Sequence, residues 1–251
     1  SYEISFKIVD PESLPSTPEM DLPGDIPFDE IPILHYPPAM EAFENRSAES
    51  AHRLRPYTLA IYEPSERKMV TFGFPPATPL TRLRFHGVQA FCGLFAEDDG
   101  VLVHGAGFVI DGHGGLFLGP SGAGKSTAVE LLKPDRLLSD DAIAITDADG
   151  EPMVHATPLG NITDGPAEAP LRAAFFLQQG SEFKLERLGV HDAINRFTNG
   201  QADLLCSMLK PHVGLTFKNA HRLFQKVPTY LMTFERDRIN KEAIMEVLRQ
   251  S

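Results

Sequence analysis

Apolar and polar residues alternate with a period of two over Tyr2–Val9, Thr58–Tyr62 and Met69–Phe74, and each run predicts a β-strand. From Pro79 to Phe95 the period changes. Leu80, Leu83, Val88, Phe91 and Leu94 fall on one side of a helix, which Asp98-Asp99-Gly100 ends. Val101–Ile110 reads as a strand interrupted by Gly105 and Gly107, Asp111–Gly115 as a turn, and Leu116–Leu118 as a second strand. A helix over Lys125–Leu132 follows. Leu137–Ile145 reads as a strand broken by Asp140-Asp141, and Pro152–His155 as a short strand. Further on the pattern predicts a buried strand at Leu171–Gln178, a mostly helical stretch over Leu188–Leu209, a strand at Val227–Phe234 and an amphipathic closing helix at Asn240–Gln250. Strands alternating with helices predict an α/β fold, and the hairpin Val101–Leu118 makes its sheet mixed. No internal repeat is present.

Proline alters this picture over residues 11–38, where Pro11, Pro15, Pro18, Pro23, Pro27, Pro32, Pro37 and Pro38 remove backbone donors and block helix. The stretch predicts an extended arm, with Ile26, Phe28, Ile31, Ile33 and Leu34 to dock it on a surface. Three regions result: 1–56, a strand and Pro-rich arm; 57–100, accessory strands and a helix; and 101–251, the larger domain.

Composition narrows the function classes. The chain has 251 residues, 42% of them hydrophobic, enough for a full core. A formal net charge of -11 argues against nucleic-acid binding and against anionic membrane surfaces. Cys92 and Cys206 sit in apolar stretches without metal or redox spacing, which predicts two buried thiols in a reducing compartment. No apolar run reaches membrane-span length and no signal peptide opens the sequence, so the expected location is cytoplasmic. Whether copies assemble into an oligomer is left open.

The chemistry concentrates in Gly119-Pro120-Ser121-Gly122-Ala123-Gly124-Lys125-Ser126-Thr127, a G-x-x-x-x-G-K-[ST] pattern between a strand and a helix. Glycines let the backbone curl so that successive N–H groups face phosphate oxygens, and the following helix adds its positive end. Gly119, Ser121, Gly122, Ala123, Gly124, Lys125, Ser126 and Thr127 are therefore the candidate nucleotide-binding residues. Lys125 would meet the β- and γ-phosphates and Ser126 would ligand Mg²⁺. Asp140 and Asp141 stand where a metal-side carboxylate and a base for an attacking hydroxyl are needed. Both can serve only if the strand bulges or ends there. His104, on the strand before the hairpin turn, could touch a phosphate or hydrogen-bond an aspartate. Asp147, Asp149 and Glu151 lie in a turn-rich stretch and read as solvated acids. Arg82 and Arg84 read as a solvated helix face, and Thr157-Pro158 as a turn.

His104-Gly105, Val109-Ile110-Asp111-Gly112, Gly119–Ser126 and Leu138-Ser139-Asp140-Asp141-Ala142 occur in the order seen in the HPr kinase/phosphorylase catalytic domain. Over residues 101–145 the chain resembles that family and its wider group, whose P-loop fold is related to PEP carboxykinase. Thr157-Pro158, Ala173-Phe175-Phe176-Leu177 and Glu186-Arg187-Leu188 are similar to the wider group. The resemblance implies that His104 is an active-site residue, that Asp140 is the base for the acceptor hydroxyl, and that Asp141 is its partner near the metal or His104. Two departures matter. Thr127 stands where the family carries an acid, and no E-I-R-G-x-G segment, the signature linked to phosphorolysis, occurs.

These readings converge on an ATP- and Mg²⁺-dependent kinase with Asp140, Asp141, His104 and Lys125 as catalytic residues and Ser126 and Asp141 at the metal. The expected acceptor is a serine hydroxyl on a protein or peptide. A small-molecule hydroxyl is the enzymatic alternative, and an ATP-binding switch or scaffold is the non-enzymatic one. The departures point away from HPr as substrate.

Overall fold

In the computed structural model the described residues are 3–8, 34–35, 58–63, 68–73 and 91–250, apart from 148–149, 158–166 and 202–209. By internal contacts the chain divides into Ser1–Phe91 and Cys92–Ser251. In the first unit, β1 (Glu3–Ile8), β2 (Leu34–His35), β3 (Thr58–Glu63) and β4 (Lys68–Gly73) form a four-stranded sheet in the order β1-β4-β3-β2. β3 and β4 pair antiparallel, while β1 joins β4 and β2 joins β3 in parallel. Arg82, Arg84, His86 and the predicted helix from Pro79 lie outside the described residues up to 91; residues 91–97 are helical.

The second unit is α/β with a mixed sheet of eight strands. Its elements are β5 (Val101–Ile110), β6 (His113–Leu118), α1 (Lys125–Leu132), β7 (Arg136–Ser139), β8 (Ala142–Thr146), β9 (Met153–Ala156), β10 (Glu168–Gln179), β11 (Lys184–Arg187), α2 (Val190–Gly200), α3 (Lys210–Lys226), β12 (Thr229–Phe234) and α4 (Lys241–Gln250). The order is β11-β12-β10-β6-β5-β8-β9, with β7 also on β5. β6, β10 and β12 are mutually parallel. β5 is antiparallel to β6, β7 and β8. The first residues of β10 pair with β9, so β6, β5, β8, β9 and β10 close into a ring.

Alternation along the strands builds a core on each face of the sheet. On one face Leu116, Leu118, Ala174 and Phe176 pack with Ala193 and Phe197 of α2 and with Ala220, Leu223 and Phe224 of α3. On the other, Phe117, Ala173, Phe175 and Leu177 pack with Ala128 and Leu132 of α1 and with Ile244 and Leu248 of α4. The rings of Phe108, Phe117 and Phe175 follow one another at 4.5 and 5.9 Å between centroids. Each such buried ring is worth about 1.5–3 kcal/mol of apolar burial, so this run fixes which way the central strands face.

Four details differ from the sequence pattern. Gly105 does not interrupt β5; it sits inside the strand because a Cβ there would lie 2.9 Å from the Phe117 carbonyl oxygen. β11 is too short to give a periodic signal, and α3, with Val213, Phe217, Ala220 and Phe224 at helical spacing, lies beyond Leu209, where the expected helical stretch ends. Pro211 stands in the first turn of α3, where proline is tolerated, and tertiary packing offsets the poor helix formers Gly214 and Thr216. Asp147 is not a solvated acid. Its side chain is only 7% exposed, lies 3.5 Å from Arg222 and accepts hydrogen bonds from Lys226 at 2.7 Å. Cys92 is a buried free thiol whose pKa burial pushes up, while Cys206, Asp149 and Pro158 lie outside the described residues. Among the described residues no helix is long and apolar enough to cross a membrane.

Candidate active site

The carboxyl ends of β6, β7, β10 and β12 meet at one edge of the sheet, because β7 runs antiparallel to β5 as β6 does and the other three are parallel. Such an edge leaves strand-end backbone and loop side chains facing one space. A cavity of about 600 Å³ lies there.

The loop after β6 forms its floor. Gly119, Gly122 and Gly124 take φ of 151°, 80° and 99°. The last two are values that side-chain-bearing residues rarely adopt. Close packing adds a second requirement. A Cβ on Gly119 would lie 2.8 Å from the Ala123 Cβ, and one on Gly124 would lie 2.9 Å from the Phe234 ring. Gly124 is the N-cap of α1, with no side-chain cap on the first helical N–H groups. The first turn of α1 lies at the cavity, with Gly124, Lys125, Ser126 and Thr127 among its lining residues.

Lys125 is buried at 7% exposure. Its ammonium donates to the carbonyl oxygens of Gly119 at 2.8 Å and Pro120 at 3.1 Å. Burial lowers its pKa from the ordinary value, and the Asp141 charge works against that shift. A buried ammonium satisfied by neutral carbonyls is a group to which a phosphate oxygen is the stronger partner.

Asp140 and Asp141 occupy a break between β7 and β8. The break arises because β5 changes partner: Val109 to Gly107 pair with β7, and His104 to Val101 pair with β8. The chain kinks at the two acids, and Asp140 reaches the cavity while Asp141 turns to His104. The His104 Nδ1 lies 3.0 Å from the Asp141 carbonyl oxygen and 3.1 Å from its Oδ1. An Nδ1–H that donates to both leaves Nε2 as the ring acceptor. The Gly105 N–H donates to the Asp141 carbonyl at 3.1 Å, so the acid is anchored through its backbone as well.

The structure therefore gathers His104, Ser121, Gly122, Gly124, Lys125, Ser126, Thr127 and Asp140 around one cavity. Gly119 and Ala123 support it from within the loop, and Asp141 supports it through His104. Thr157 is buried away from it and donates its hydroxyl to the Ala142 carbonyl at 2.8 Å. His155 also lies apart, between Thr146 and Glu168. Among the described residues no group of three or more His, Cys, Asp or Glu side chains forms a metal cage.

Sequence reasoning missed four residues here. Gln179, Phe234 and Arg236 line the cavity from the ends of β10 and β12. Arg236 is exposed, in a turn closed by the bridge between Glu235 and Arg238. The fourth, Gln201, follows α2 and holds the His104 backbone. No local motif marks any of them; only the parallel order of β6, β10 and β12 would have pointed to the first three.

No protein-family model matches the chain, and no curated protein matches it. Among solved structures, the HPr(Ser) kinase/phosphatase from Coxiella burnetii is similar at 14% sequence identity and a TM-score of 0.35, over 59% of this chain and 88% of that one. A likeness at this level carries no argument about activity.

Proposed function

We propose that the chain is an ATP-dependent phosphotransferase that moves the γ-phosphoryl group to a hydroxyl. The observation that supports this reading is that Lys125 and Asp140 line the same cavity above a glycine cradle. A nucleotide-binding switch or scaffold needs the cradle and the cation; it does not need a carboxylate aimed at the space beside them.

ATP, when bound, would supply the phosphoryl group, and Mg²⁺ would supply charge neutralisation for the transfer. N–H donors at the start of α1 and the buried Lys125 ammonium suit a phosphate, and Ser126 at the cavity together with Asp141, which His104 holds beside it, would be the oxygen ligands of Mg²⁺. Lys125 exchanges the carbonyls of Gly119 and Pro120 for phosphate oxygens. Arg236, which also lines the cavity, would add a second positive charge toward bound phosphate. Asp140 takes the proton from the acceptor hydroxyl, and His104 fixes the Asp141 carboxylate beside it.

The acceptor that fits this reading is serine on a protein or peptide with a neutral or basic surface, because the chain carries a net charge of -11 and like charges raise the cost of encounter. The test offers ATP and Mg²⁺ together with a basic serine-containing peptide, HPr and free serine, and reads added phosphate by mass. Phosphate on the peptide supports the reading. Phosphate on free serine alone moves the acceptor class to small molecules. Failure of the wild-type protein to bind ATP overturns the proposal.

A further inference from the structure

β6 ends at Leu118, which pairs with Gly105 of β5. The chain then leaves the sheet as the Gly119 loop, so one step further along β5 no strand stands opposite His104. Backbone groups of successive residues in an antiparallel strand point to opposite neighbours. The Gly105 N–H points to the β8 side, where Asp141 accepts it. The N–H and C=O of His104 therefore point to the side that β6 has vacated.

Gln201 fills that place. Its Oε1 accepts the His104 N–H at 2.6 Å, and its Nε2 donates to the His104 carbonyl at 2.9 Å. One side-chain amide thus supplies both bonds a missing strand residue would have made, across 97 residues of sequence. Gln201 is only 2% exposed, and without it two partly buried backbone groups would each lose a partner. Its neighbour Gly200, the last residue of α2, lies so close to the loop that a Cβ would sit 3.4 Å from Gly119 and 3.6 Å from Pro120. The end of α2 therefore touches the start of the loop and holds the strand residue whose ring carries Asp141.

We infer that Gln201 is a positioning residue for the phosphotransfer: it sets the place of the His104 ring, and through it the Asp141 carboxylate, relative to the Gly119–Gly124 loop. The inference rests on the phosphotransferase reading. It makes no contact with the reacting atoms, so it acts on the alignment of groups and not on nucleotide capture.

Three variants of the full chain test it. Gln201→Leu removes both bonds at similar volume. Gln201→Glu keeps the acceptor for the His104 N–H and loses the donor to its carbonyl. Thr198→Val removes only the hydrogen bond from Thr198 to the Ile194 carbonyl inside α2. Misalignment of this kind lowers kcat roughly tenfold to a hundredfold. We expect that loss in Gln201→Leu, a smaller one in Gln201→Glu and none in Thr198→Val, with the KM for ATP within about threefold throughout. The Cε1–H cross-peak of His104 in a histidine NMR spectrum should move in both Gln201 variants and hold in Thr198→Val. Unchanged kcat in Gln201→Leu overturns the inference. So does a parallel loss of kcat and folded protein with the His104 cross-peak unmoved in the folded fraction. Should the wild-type protein transfer no phosphate, the phosphotransferase reading fails, and the cross-peak alone decides whether Gln201 positions His104.

Discussion

The Lys125 ammonium donates to the Gly119 carbonyl oxygen at 2.8 Å, so the lysine is spent on the loop it belongs to. Burial holds its pKa below the usual 10.5, and Asp141 opposes that shift. An arriving phosphate favours the charged form and draws the pKa back up. Nucleotide binding in alkaline buffer below pH 10.5 should therefore take up a fraction of a proton, visible by calorimetry in two buffers of different ionisation heat. Lys125→Met should abolish that uptake and weaken ATP binding roughly tenfold or more, the worth of a charged hydrogen bond. Equal affinity in the variant would remove Lys125 from the phosphate site.

Asp140 lines the cavity, and Asp141 is tied to His104. Asp140→Asn keeps the shape and loses the base, so transfer should fall by roughly 10²-fold or more with ATP still bound. Asp141→Asn should weaken Mg²⁺-dependent nucleotide binding. The check is a pair of titrations, ATP with and without Mg²⁺, beside a transfer assay. The reverse pattern would exchange the two roles.

Gly124 and Gly122 both have positive φ, but only Gly124 has a neighbour where a side chain would grow. Gly122→Ala should cost the backbone strain alone, about 1–2 kcal/mol. Gly124→Ala adds a 2.9 Å approach to the Phe234 ring and should lower Tm further than Gly122→Ala does. Thermal unfolding of the two variants side by side measures the difference, and equal Tm values would show that the Phe234 contact relaxes at no cost.

His155 joins three strands at the seam of the ring. Its Nδ1 lies 3.0 Å from Glu168 of β10, and its Nε2 lies 2.7 Å from the Thr146 hydroxyl of β8. Burial lowers its pKa below 6.5, with Glu168 opposing. The unfolded chain then takes up this proton before the folded one does. The contribution is full above pH 6.5 and is lost as pH falls from 6.5 through the lower folded value. Denaturant midpoints between pH 7.5 and 5 should fall less steeply in His155→Gln than in the wild-type protein; identical slopes would assign the acid sensitivity to other groups.

Much of the fold was legible from the sequence because it is local. The helix Lys125–Leu132, the hairpin Val101–Leu118, and the strand broken at Asp140-Asp141 each follow from residues close in the chain, where periodicity, glycine and paired acids leave few alternatives. α3 carries Val213, Phe217, Ala220 and Phe224 at helical spacing, and burial of Ala220, Leu223 and Phe224 against the sheet outweighs its Gly214. Elsewhere tertiary packing decided. Asp147 leaves solvent because Arg222 and Lys226 of that same helix come to meet it.

The sequence by itself determined the cradle, the lysine and the acids, because the backbone that presents them lies within about one supersecondary unit. Only the tertiary structure decided what stands opposite. Gln179 and Arg236 reach the cavity because β10 and β12 run parallel to β6 and end at the same edge. Gln201 reaches His104 because β6 stops one residue short and leaves two backbone groups to satisfy. Strand order and the need to pair buried backbone act between residues far apart in the chain, and neither leaves a mark on the local pattern.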